Sequence, residues 1–228
     1  MMNNGLKGTL KGCWIYARPM VIIFAALITG QLLVQIIVSS FIENNSNLSV
    51  ANISTFFILV ISLSIPLYFL RQIMEIGADR RGYYQGVVIF YLLTALIFAF
   101  LNIVFYMVET LLLKDYLNFG NMLNYFGWDA NGLIGMVFYQ LGAYLLVMSF
   151  TNLIFSGIRE KTGIIMVIIL AALLAVFLSV PDPRLFLGSF LSFLLFNPDI
   201  LISFLASTII SIGLFLGGWY IIKNREVG

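Results

Sequence analysis

The densest group of reactive side chains lies in RQIMEIGADRRGYYQG, residues 71–86, where Arg71, Glu75, Asp79, Arg80 and Arg81 stand beside Tyr83 and Tyr84. Guanidiniums, carboxylates and phenols at this density suit ion pairing and docking. They do not make a catalytic set, because the nucleophile with its general base is missing. The chain has no histidine at all. That removes the usual zinc ligand of an intramembrane metalloprotease and the usual base of a serine-type one. The nearest Gly and Lys cluster, GLKGTLKG at 5–12, has the wrong spacing for a G-x-x-x-x-G-K-[ST] phosphate loop. No catalytic, cofactor-binding or metal-ligating residue is therefore expected, and the chain is not expected to be an enzyme. Cys13 is the single cysteine, so no internal disulfide can form.

These groups must be positioned by elements built for a bilayer. Apolar residues make up 61% of the 228 residues and charged ones only 10%, a mix far from that of a soluble domain. Runs of about 17 to 25 apolar residues are long enough to cross a hydrocarbon core. Six such runs stand at about 20–42, 50–70, 86–108, 133–155, 164–180 and 200–222. They predict an all-α integral membrane protein forming one domain over 1–228. A further apolar run, 185–196, is fenced by Pro181, Pro183 and Pro198. It is too short to cross and reads as a re-entrant or interfacial helix on the outer side. With six spans, only Lys114 and Arg184 of the twelve basic residues fall opposite the others. This bias puts both termini in the cytoplasm of a cell-membrane protein.

The first apolar run is too long for the core of a signal peptide and has no small-residue cleavage pattern after it, so it is expected to be kept as a span. Ahead of it, Leu6, Leu10, Cys13, Trp14 and Ala17 recur at helical spacing, with Lys7, Lys11 and Arg18 on another side. That is the pattern of a helix lying in the membrane surface, which Pro19 is expected to break from the first span. Within the spans the polar residues are mild. Pro66 should kink the second span by removing the hydrogen bond to the Ser62 carbonyl. Gly213 and Gly217 form a G-x-x-x-G pair suited to close helix packing. Glu109 closes the third span at its outer end, either as a gate carboxylate or as an interfacial acid beside Lys114 and Asp115. Trp128, Tyr125, Phe126, Tyr116 and Phe119 fit an aromatic belt at the headgroups.

The charged stretch is then the cytoplasmic loop between the second and third spans. Gly77 and Gly82 bracket Ala78 to Arg81, a length suited to a short surface helix broken at each end. The positive-inside bias alone explains its arginines. It does not explain Glu75, Asp79 or the tyrosine pair, which suit a docking contact.

Six spans, a basic lead-in helix, this loop and a re-entrant stretch between spans five and six resemble the membrane subunits of type-2 ATP-binding-cassette (ABC) exporters. MEIGADRRGYYQG is similar to the G-x-x-R-(R/K)-x-(F/Y)-(F/Y) segment of small bacterial permeases of that class, at Gly77, Arg80, Arg81, Tyr83 and Tyr84. The resemblance implies a coupling helix seated on a separate ATPase subunit, two copies of which would carry ATP and Mg. It places Arg159, Glu160 and Lys161 nearby as a secondary contact and implies a second permease subunit, the same or related. The exporters most similar in size move peptides, antibiotics or lipids, including phenol-soluble modulins, out of bacteria. Two other readings stand beside it: an ion-driven or passive carrier, and a noncatalytic immunity or assembly protein. Nucleic acid is not an expected partner.

Overall fold

The computed structural model describes residues 4–39, 46–75, 79–111, 118–158 and 161–224. Almost all of them are helical. Helix α1 (Asn4–Ser39) is followed by a short strand β1 (Ser46–Leu48), then by α2 (Val50–Ser64), a π-helical stretch Ile65–Phe69 and α3 (Leu70–Glu75). Helix α4 (Arg80–Leu111) leads to β2 (Asn118–Gly120), the short α5 (Met122–Tyr125) and a 3-10 turn Trp128–Asn131. Helices α6 (Gly132–Gly157), α7 (Lys161–Ser179), α8 (Pro181–Leu195) and α9 (Ile200–Asn224) complete the chain. Strands β1 and β2 pair in parallel, Ser46 opposite Asn118 and Leu48 opposite Gly120.

Among the described residues, four helices are long and apolar enough to cross a membrane, and a fifth crossing is counted if the bent pair α7 and α8 is taken as one span. The expected second span is the exception. It is an apolar stretch interrupted at the place where Pro66 was expected to act, and the interruption takes the form of the π turn. Pro66 has no N–H to give to the Ser62 carbonyl. That carbonyl accepts instead from the Tyr91 hydroxyl of α4 at 2.9 Å.

The N-terminal lead-in differs from expectation in two ways. Helix α1 runs through Pro19 without a break. At 1.5 Å per residue its 36 residues reach about 54 Å, well past a hydrocarbon core of roughly 30 Å. Moreover, its buried stripe is Thr9, Cys13 and Ala17, while Trp14 is exposed. The stripe packs on protein: a Cβ at Gly12 would strike the Phe69 ring, and a Cβ at Gly86 would strike Thr9.

Contacts fix the helix directions. Thr9 lies at Gly86 and the Phe24 ring meets Phe98 at a tilt, so α1 and α4 are parallel. Arg80 meets Lys223 and Tyr91 stacks on Phe215, so α4 and α9 are antiparallel. Gly142 faces Ser207, and Gly157 faces Ile221, so α6 and α9 are parallel. In a bilayer, lipid would supply no hydrophobic force between helices, which would have to join through small residues and polar bonds. The α6–α9 seam follows this rule through Gly135, Gly142 and Gly157 on α6 and Ser203, Ser207 and Gly218 on α9. Gly163 of α7 sits so close to Gly157 that any Cβ there would overlap the Gly157 carbonyl.

Helix α8 is separate from α7 and turned by 104°. Its start is written in the sequence: Val180, preceding Pro181, is held extended at φ −99° and ψ 132°, as a residue before proline must be, and Pro181 opens the helix. Of the three prolines expected to fence the helix, Pro181 and Pro183 therefore lie in its first turn, and Pro198 lies beyond its end, between α8 and α9. The expected aromatic belt is also partly inside. Trp128 donates to the Leu195 carbonyl at 2.7 Å and stacks on Tyr139, while Phe126 meets Phe196 edge-on. These rings bolt α8 to the bundle, and only Tyr125 is left largely exposed among those of the group whose side chains are described.

Candidate functional site

Three polar sites run along the bundle. The first is the corner where α4 begins. Asp79 precedes the helix and accepts from the Gly82 N–H at 3.2 Å, while its carbonyl accepts from Tyr83 N at 2.9 Å. This is an N-cap, and it explains an acid beside two arginines. Arg80 donates to the Lys223 carbonyl at 2.7 Å and reaches the Ile222 carbonyl at 3.5 Å. It thus covers the open carbonyls at the end of α9, where a cation is favoured.

Tyr83 and Tyr84 are buried. Tyr84 donates to the Phe215 carbonyl and accepts from Asn152 Nδ2 at 3.1 Å, joining α4, α6 and α9. The expected short surface helix is therefore not present in that form. Gly82 lies within α4 and brackets nothing, and the tyrosine pair serves the core instead of a docking face. Arg71 and Glu75 belong to α3, and Gly77 and Ala78 lie outside the described residues. Arg159 and Glu160 are also outside them, and Lys161 opens α7. Gly157, near Ile221, brings the α6–α7 turn to the same end of the bundle as Arg80. Asp79 and Arg81 are exposed there, as is Gln72 of α3.

The second site is an interior column that the span-by-span reading passed over. Asn102 Nδ2 donates to Gln140 Oε1 at 3.0 Å and to the Tyr144 hydroxyl, which also lies 3.3 Å from Thr55 Oγ1. Nearer the α4 start, Thr151 Oγ1 donates to Ser62 Oγ at 2.8 Å, beside the Tyr91 to Ser62 bond. The signal was available. Tyr84, Tyr91, Asn102 and Glu109 fall at intervals that keep one face of a helix, and that face carries the bonds of Tyr91 and Asn102, while Thr151 to Ser62 and Tyr144 to Thr55 join α6 to α2 beside it.

Glu109 forms the third site, at the far end of α4. It is 3% exposed and accepts from Ser49 Oγ at 2.7 and 2.9 Å and from Asn121 Nδ2 at 2.9 Å. Asn121 in turn caps α5 through Leu123 N at 2.8 Å. The carboxylate thus pins the start of α2, the end of α4 and the start of α5. Lys114 and Asp115, its expected neighbours, lie outside the described residues. The glycine pair of α9 divides: Gly217 would bring a Cβ within 3.1 Å of Leu153, whereas Gly213 faces open space. The packing glycine is Gly218, where a Cβ would lie 2.8 Å from both the Tyr84 hydroxyl and Asn152 Nδ2.

Helices of this length and composition are compatible with a multi-pass membrane protein. No family model, curated protein or solved structure matches the chain.

Proposed function

We propose that this chain is the permease subunit of a type-2 ABC exporter, working with a separate ATPase and a second permease subunit. One observation carries the reading: Arg80 ties the corner at the start of α4 to the end of α9. A push on that corner by a seated ATPase would reach α9 directly, and through Tyr84 it would reach α6. Transmission of this kind needs a firm contact that two conformations can share, and the corner offers one. The contact face differs from that expected of the motif. With Tyr83 and Tyr84 turned inward, Gln72, Asp79 and Arg81 are the described residues left to meet a partner.

In this reading α1, the α2–α3 stretch, α4, α6, α7 and α9 make six crossings, with α8 re-entrant from the outer side. The 104° turn between α7 and α8 supports that layout. A greasy passage between two such subunits suits an amphipathic or hydrophobic cargo, such as a peptide, an antibiotic or a lipid.

Extraction of the tagged chain in mild detergent from its own cells tests the proposal. A soluble ATPase should be recovered with it, hydrolyse ATP, and be recovered at least tenfold less with Arg81→Glu at unchanged levels of the chain. Recovery of the chain as a lone oligomer, or an ATPase indifferent to Arg81→Glu, would favour the carrier or immunity reading instead.

A further inference from the structure

A groove of about 510 Å³ runs between the first turns of α4 and the last turns of α9. Its polar end is formed by Arg81 and Gln85, both exposed. Trp219 stands beside them, and Val88, Ile212 and Leu216 make the other end. From Arg81 to Val88 the helix rises about 10 Å, which keeps the groove within one leaflet of a bilayer. The two adjacent arginines have different uses. Arg80 is spent on the α9 carbonyls, whereas Arg81 makes no hydrogen bond or ion pair among the described residues. A cation, an amide and an indole at one end of an apolar trough match the order of a phospholipid: anionic phosphate, glycerol, acyl chain.

We propose that the α4–α9 groove binds an anionic phospholipid of the cytoplasmic leaflet, its phosphate on Arg81 and Gln85 and an acyl chain along Ile212 and Leu216. The guanidinium offers paired donors to phosphate oxygens, which an ammonium cannot match. Trp219 lies in the last turns of α9, where the end of a span would place an indole at headgroup depth. Basic pockets between membrane helices on this side are suited to anionic headgroups. One such cation near the surface contributes about 1 kcal/mol, or roughly fivefold preference for an anionic over a zwitterionic lipid. The inference does not depend on an ATPase partner.

The full chain, reconstituted without any ATPase in phosphatidylcholine vesicles, reports on the groove through Trp219. Dibrominated acyl chains are introduced on phosphatidylglycerol in one sample and on phosphatidylcholine in the other. The emission component lost in Trp219→Phe is the one to follow. Its quenching should favour the anionic lipid about fivefold, and Arg81→Gln should bring the ratio near one. In the parental chain 1 M salt should lower the ratio in the same way, with no substitution at all. Equal quenching by both lipids, or a preference that survives Arg81→Gln, overturns the proposal. So does a Trp219 reached by neither lipid, which would mean that a second copy of the chain covers the groove.

Discussion

At the residue scale, proline and tyrosine answer each other. Pro66 leaves the Ser62 carbonyl without its helical donor, and Tyr91 from the neighbouring helix supplies one at 2.9 Å. Tyr91 is wholly buried, so water offers no substitute. Tyr91→Phe should therefore destabilise the protein by about 1–3 kcal/mol, the cost of an orphaned buried acceptor. Pro66→Ala restores an N–H at that place. In its background Tyr91→Phe should cost clearly less, and thermal unfolding of the four proteins in one detergent measures the coupling. Equal losses in both backgrounds would show that the bond does not serve the freed carbonyl. The kink was legible, because proline acts on its own turn. The partner was not, because Tyr91 is brought to Ser62 only by the packing of α2 on α4. The same limit governs Asp79, Arg80, Tyr83 and Tyr84. Their types suggest docking, but two of them close helix ends and two fill the core.

At the element scale the chain signals breaks more plainly than it signals faces. The turn between α7 and α8 follows from Val180 and Pro181, since the residue before a proline is pushed out of helical geometry. Pro19 shows the opposite outcome: one proline within the long helix α1 does not end it. The face of the lead-in helix differs from expectation for a related reason. Helical spacing shows that a stripe exists, but it does not say whether lipid or protein covers it, and here Phe69 and α4 cover part of it. The bend can be tested with nitroxide labels at Leu173 and Phe190, both exposed, in a chain with Cys13→Ala. A 104° turn brings these positions to about 16 Å, whereas one straight helix would separate them by about 25 Å. Pro181→Ala with Pro183→Ala should lengthen the measured distance toward the larger value. A distance unchanged by both substitutions would mean that the α8–α9 contacts and the Trp128 bond hold the bend without the prolines.

At the scale of the whole molecule, direction can be followed through contacts without reference to charge. The start of α1 lies by the start of α4, and the start of α4 lies by the end of α9. Residues near both ends of the described chain therefore gather at one end of the bundle, and an even number of traverses is required. The basic residues led to the same parity by a separate physical route, the energetics of moving cations across a membrane. Tyr125 belongs to the opposite end, with Asn121 and Glu109. Lys7, Tyr125 and Asn224 are all exposed, which makes them suitable single-cysteine positions in the Cys13→Ala background. In sealed vesicles of known orientation, a membrane-impermeant maleimide should label Lys7→Cys and Asn224→Cys from the cytoplasmic face alone, and Tyr125→Cys from the other face alone. Labelling of Lys7→Cys and Asn224→Cys from opposite faces would require an odd number of crossings. The pair α7 and α8 would then have to return without α7 traversing, and the corner at Arg80 could not join two ends that lie on different sides of a bilayer.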